Sequence, residues 1–230
     1  MRFLVCGSWR QALGVVLVAC GPLLASADEG LEWIERMNQA LVSRNYSGTF
    51  LHERGGQSES LQVHHRVRGG QISERLASLD GSGREFIRRG EEVIYVLPDQ
   101  QRLISERRPR NASLLPRFPQ LDERSAGLYV VSPVTRTRLT ARDVRLVSIT
   151  PRDPFRYGYR AWIDSRTHLP LKTELFDNEG NVLERVTFTS LSLLRDLPDE
   201  AFNPAVDTSA FQQVRLEPPR PRIQRVTGPQ

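Results

Sequence analysis

The stretch Arg156–Leu193, RYGYRAWIDSRTHLPLKTELFDNEGNVLERVTFTSLSL, decides the fold. Aromatic and β-branched residues fill Arg156 to Ile163. A polar turn precedes Leu169 to Phe176, and Asp177-Asn178-Glu179-Gly180 leads into Val182 to Leu193. These are three strands joined by short linkers. Such linkers force an antiparallel order, because a parallel return needs a dozen or more residues. The product is a meander, apolar on one face and wet on the other.

The same rhythm runs upstream. Tyr46 to His52 and Leu61 to Val67 read as strands. In the second, Leu61, Val63, His65 and Val67 share one face, while Gln62, His64 and Arg66 share the other. Arg68-Gly69-Gly70 is a hairpin signal before Gln71 to Leu79. Asp80-Gly81-Ser82-Gly83 turns again. Arg84 to Arg89, Val93 to Leu97 and Arg102 to Glu106 follow, and Leu128 to Val131 and Val144 to Thr150 resume after an interruption. Glu29 to Arg44 reads as a helix, with Leu31, Ile34, Met37 or Asn38 and Leu41 on one face and Asp28 as its cap. Pro198 to Phe202 reads as a short helical turn. The fold class is therefore mainly β with α: a large curved antiparallel sheet, or an unclosed β-barrel, packed with helices. No internal repeat is present.

Arg107 to Gly127 is the interruption. Pro109, Pro116 and Pro119 exclude a regular strand or a long helix. Leu114, Leu115, Phe118 and Leu121 are apolar enough to pack on the sheet, so the segment reads as a long crossing connection with room for a short helix, or alternatively as a mobile flap over a cavity.

Arg2 and Arg10 precede an apolar run from Ala12 to Leu24, and Ala25-Ser26-Ala27 has the form of a cleavage site. Residues 1–27 read as a secretory signal peptide. The run is short for a membrane span. Leu17-Val18-Ala19-Cys20 offers the alternative of a lipoprotein acylated at Cys20. Both cysteines, Cys6 and Cys20, lie in the leader, so the mature chain has neither disulfide nor thiol chemistry. Residues 28–214 form the expected folded unit. Residues 215–230 read as a Pro/Arg-rich linker.

The formal charge of +5 owes much to Arg2, Arg10 and the arginines of the tail. The folded unit is close to neutral, which argues against nucleic acid as a partner. His64 and His65 are adjacent and point to opposite faces of a strand. No HExxH or CxxC spacing appears, no nucleotide-binding loop has its strand–loop–helix context, and no metal or other cofactor is implied. An enzyme would need residues dispersed beyond any recognisable motif, and the reading is of a non-enzyme.

A half-closed sheet can enclose an apolar space. Phe50, Leu61, Val63, Val96, Trp162, Ile163, Leu175, Phe176 and Phe188 are candidate lining residues, though most also read as ordinary core. Arg84, Arg88 and Arg89 form one candidate contact for an anion or partner. Arg156, Tyr157, Tyr159 and Arg160 form a second, since arginine and tyrosine anchor many interfaces.

Several of these segments, in order, resemble a family. Asn45-Tyr46-Ser47-Gly48, Gly83-Arg84-Glu85, Tyr157-Gly158-Tyr159-Arg160 leading into Trp162-Ile163-Asp164, Leu169-Pro170-Leu171-Lys172 and Phe188-Thr189 are similar to the MucB/RseB family of periplasmic stress regulators. The resemblance covers about Leu31 to Phe211. It implies a LolA/LolB-like N-terminal domain and a soluble periplasmic location. It implies a partner, the periplasmic part of a RseA/MucA-like membrane anti-sigma factor. Binding shields that factor from proteolysis and restrains an envelope-stress sigma factor. It also implies a lipid or lipopolysaccharide signal, and leaves a homo-oligomer open. The family has a second, smaller domain, which would begin where this sequence ends. A lipoprotein or lipid carrier is the alternative function.

Overall fold

The computed structural model describes residues 22–109, 115, 118 and 127–216, with side chains from Asp28 onward. The expected leader through Gly21, both cysteines, most of the crossing connection and the tail beyond Leu216 lie outside the described residues.

A single α-helix among the described residues, α1 (Pro22–Ser43), precedes the sheet. It starts upstream of the expected Glu29, so Asp28 sits within the helix and does not cap it. Its buried stripe is Trp33, Ile34, Met37, Ala40 and Leu41, the three-to-four spacing that turns one face inward. Leu31 is only half-buried.

Six strands follow in chain order, each antiparallel to the last: β1 (Tyr46–Arg54), β2 (Gln57–Arg68), β3 (Gln71–Ser78), β4 (Glu85–Arg89), β5 (Glu92–Leu97) and β6 (Arg102–Arg107). Gly69 and Gly70, both at positive φ, make the β2–β3 turn as expected. The chain then crosses to the far side of the sheet and builds back. β7 (Tyr129–Val131), β8 (Thr135–Leu139), β9 (Arg142–Pro151), β10 (Gly158–Asp164), β11 (Pro170–Phe176) and β12 (Val182–Leu193) complete the second half. β12 pairs with β1, Tyr46 facing Leu193, and joins the halves into one open sheet.

Two strands were not expected. β8 turns into β9 through Thr140 and Ala141, both at positive φ (48° and 62°). This is primed-turn geometry, reached without glycine or asparagine. β13 (Gln212–Arg215) runs parallel to β6 at the opposite edge. Arg215, where the linker was expected to begin, is therefore part of the sheet.

The two faces are covered differently. On one lie α1 and, from the crossing connection, Leu115 and Phe118. Leu115 packs with Leu41, Phe50, Val63 and Leu76, and Phe118 packs with Trp33, Met37 and Ile163. On the other lies a strap formed by residues 194–211, which leads into β13. Arg66 donates to Leu197 O at 2.7 Å, pairs with Asp199 at 2.5 Å and stacks on the Phe202 ring at 4.7 Å. Arg89 donates to Phe202 O and Asn203 Oδ1, and Ala205 N donates to Glu85 Oε1. The expected helical turn is the 3-10 segment Asp199–Phe202, whose Phe202 fills the space between strap and sheet.

Candidate functional site

Strand register brings one row of side chains together on the helix-side face. Leu76 faces Phe86, Phe86 faces Tyr95, and Phe50 faces Leu61. With Leu115 from the crossing connection and Val186 from β12, these line an apolar cleft of about 320 Å³. That is near the lower limit for small-molecule sites and fits a short apolar chain or a side-chain anchor. A far smaller hollow lies beside it, between Leu41, Leu115, Pro170, Val186 and Phe188. Leu115 and Val186 are walls common to both.

Charged groups rim the cleft. At one side Tyr95 donates to Glu106 at 2.5 Å, while Arg108 donates to Glu106 at 2.5 Å and to the Tyr95 oxygen at 2.6 Å. Burial, then the bond to Glu106, pushes the Tyr95 hydroxyl above the usual phenol range. The Tyr95 bond holds the Glu106 carboxyl below the usual carboxylate range. At the other side His52 Nε2 lies 2.9 Å from Glu184, and Glu59 accepts from Ser78 at 2.6 Å and Arg84 at 3.0 Å. An apolar floor with a polar rim suits a ligand that carries both characters.

Of the expected lining residues, Phe50 and Leu61 line the cleft and Phe188 the hollow. The other six do not. Val63 is solid core, and Ile163 is sealed beneath α1. Val96 alternates with Tyr95, so it lies on the strap face, fully buried. Phe176 lies against Gly158 and under the Arg160 guanidinium, 4.2 Å from its ring. Trp162 is half-buried beneath Lys172, and Leu175 is half-buried without reaching the cleft. Leu76, Phe86, Tyr95, Leu115 and Val186 were missed. The alternation within each strand was legible, but which rows align across strands was not.

The arginine candidates also separate. Arg84 is exposed and bridges Glu59 and Asp80 at the cleft mouth. Arg88 is a correction. It is fully buried, paired with Glu74 at 3.3 Å and bonded to Gly90 O and Pro109 O, so no partner can reach it. Arg89 is committed to the strap. Arg156 pairs with Asp153, and Arg160 pairs with Glu174 at 3.3 Å. Tyr159 is half-buried against Phe118, on the opposite face from Arg160. Tyr157 is exposed, beside the yet more exposed Phe155. The four do not form one cluster: Arg156 and Tyr157 precede β10, and alternation along β10 sends Tyr159 and Arg160 to opposite faces.

Among the described residues no group of three or more His, Cys, Asp or Glu side chains is arranged to hold a metal ion. No helix among them is long and apolar enough to cross a membrane.

A profile of the MucB/RseB N-terminal domain matches residues 29–206. The sigma factor AlgU regulatory protein MucB of Pseudomonas aeruginosa is 32% identical over 185 residues, which cover 77% of this chain and 56% of that protein. A crystal structure of MucB is similar at TM-score 0.64 and 29% identity, over 81% of this chain and 66% of that one. The MucA/MucB complex of Pseudomonas aeruginosa is similar at TM-score 0.61 and 28% identity, over 76% of this chain and 60% of that one. The match therefore spans little more than half of the curated relative. The match to the family profile runs from α1 through the sheet into the strap, and on it the chain belongs to the MucB/RseB family.

Proposed function

We propose that this chain is a non-enzymatic periplasmic regulator. It binds the periplasmic part of a membrane anti-sigma factor of the MucA/RseA kind and shields it from proteolysis. An envelope-stress sigma factor is thereby restrained. The observation that carries this reading is the family match over residues 29–206, which takes in the whole cleft. A relative is named as a sigma-factor regulator, and a similar structure is a complex with MucA. The layout goes with this reading: a leader removed near Ala27 or, alternatively, a lipid on Cys20; a folded unit from residue 28; and a tail leading toward a second domain.

The cleft supports a signal-binding role within the same reading. A lipid or lipopolysaccharide acyl group would enter between the Tyr95–Glu106–Arg108 and His52–Glu184 rims. It releases the anti-sigma factor only if it prefers a conformation that holds that factor poorly. The same apolar cleft favours the second reading, a carrier for lipids or lipidated proteins.

The two are separated by capture from a periplasmic extract. The expected catch is an inner-membrane anti-sigma factor, and the purified chain should slow proteolysis of its periplasmic part. A broad set of lipoproteins, with no anti-sigma factor and no protection, would move the assignment to the carrier. Gel filtration across a concentration series tests the homo-oligomer.

A further inference from the structure

The β7–β8 edge of the sheet is one strand broken by a bulge. Tyr129 faces Pro151 and Val131 faces Ile149, but Thr135 faces Leu146, a slip of one residue around Pro133. Beyond the bulge β8 is regular and exposed up to Leu139. Its two-residue turn makes Leu139 and Arg142 the flanking bonded pair. Bonding alternates along an antiparallel ladder, so Thr137 and Thr135 also point their backbone at β9. Arg136 and Arg138 then point theirs outward. An independent contact agrees: Asp143, opposite Arg138, gives its carbonyl to Ser165 N at 2.9 Å, on the β10 side. Among the described residues no strand lies beyond β8.

Side chains on this edge carry a second signal. Arg136 stands directly opposite Arg145 in a non-bonded pair, where facing side chains come closest. Arg145 is held over the Trp33 ring at 5.4 Å and donates to Ser165 Oγ at 2.9 Å. Neither arginine forms an ion pair among the described residues, whereas Arg138 has Asp143 at 3.6 Å. Like charges placed opposite each other weaken a sheet. Charges on an edge strand do guard against edge-to-edge aggregation. That protection needs no second arginine behind the first.

We propose that the outer edge of β8 accepts an extended acidic segment of a partner protein by strand addition. The backbone groups of Arg136 and Arg138 supply the ladder, and a carboxylate of the partner sits between Arg136 and Arg145. Acidic residues at alternate positions fall on that face.

The probe is a blocked peptide of alternating threonine and glutamate, with its threonine–lysine counterpart as control. It is titrated into the full chain while amide exchange is followed. The Arg136 and Arg138 amides should become protected with the acidic peptide and not with the basic one. Arg138→Pro removes an outward N–H and no ladder bond to β9, so it should weaken binding by about tenfold or more at an unchanged unfolding midpoint. Arg136→Glu should abolish binding and raise the midpoint, since it ends the like-charge pair. Equal binding of both peptides, full affinity in Arg138→Pro, or no binding at millimolar acidic peptide would each overturn the proposal. In the last case the arginines would serve only as an edge guard, a result independent of whether the anti-sigma factor is captured.

Discussion

The Arg88 guanidinium meets the Glu74 carboxylate at 3.3 Å, with 1% of each side chain exposed. Around them, Arg88 also holds Gly90 O and Pro109 O, and His65, 3.8 Å from Glu74, donates from Nδ1 to Arg44 O at 2.7 Å. The pair thus fastens the end of α1 and the start of the crossing connection to β2, β3 and β4. Arg88→Ala strands a buried carboxylate and should cost about 3–5 kcal/mol. Arg84→Ala, on an exposed pair, should stay within about 0.5 kcal/mol. Urea denaturation decides, and equal midpoints for the two variants would refute the buried-pair account.

Gly158 faces Phe176 across β10 and β11, and a Cβ at Gly158 would lie 2.2 Å from the ring. The Arg160 guanidinium also lies over the ring, 4.2 Å from its centroid. Gly158→Ala should cost about 1–3 kcal/mol through overpacking. Adding Phe176→Leu should recover part of that loss, a coupling seen only for residues in contact. Strict additivity in a double-mutant cycle would count against the contact.

Thr140 and Ala141 occupy a left-handed turn that favours Asn-Gly. Replacing both, Thr140→Asn with Ala141→Gly, should raise stability by about 1 kcal/mol. Calorimetry reads this directly. A lower melting temperature would mean that the turn adopts another geometry.

Acid should weaken the fold in two stages. Burial lowers the basicity of His64 and His168, helped by Arg75 for the first and by Arg36 and Arg44 for the second. Unfolded imidazoles then take protons first, so stability falls as pH drops below about 6.5. Burial disfavours ionised Asp164 and Glu174, but other groups outweigh it. Thr167, Arg166 and Arg142 do so at Asp164, and Lys172, Arg185 and Arg160 do so at Glu174. Both carboxyls are held below their ordinary range. Their contribution is complete above the ordinary carboxylate pKa and is lost as pH falls through about 4 toward the folded value. Melting profiles against pH should show both declines. Asp164→Asn should flatten the lower one, and an acid limb left unchanged in that variant would contradict the assignment.

The architecture was legible wherever alternation and turn chemistry agreed. Val182–Leu193 matches its strand to the residue, and Gly69-Gly70 turns where expected. β8 escaped notice because Thr140 and Ala141 carry no turn signature. β13 escaped because its pairing with β6 is parallel and distant in sequence. The site was harder. Alternation tells that Tyr95 and Val96 face opposite ways, but not that the strap covers the side of Val96. Arg88 reads as surface until Glu74 and Pro109 are placed beside it.

The seam between β1 and β12 has a consequence for the order in which the molecule is made. Tyr46 is translated early, and its partner Leu193 emerges only near the end of the described chain. Closing so wide a loop is slow, because the entropy must be surrendered before the contact rewards it. The early hairpins can flicker into being during synthesis, but the central seam cannot set. A nascent polypeptide in that condition stays loose until its last long strand is made.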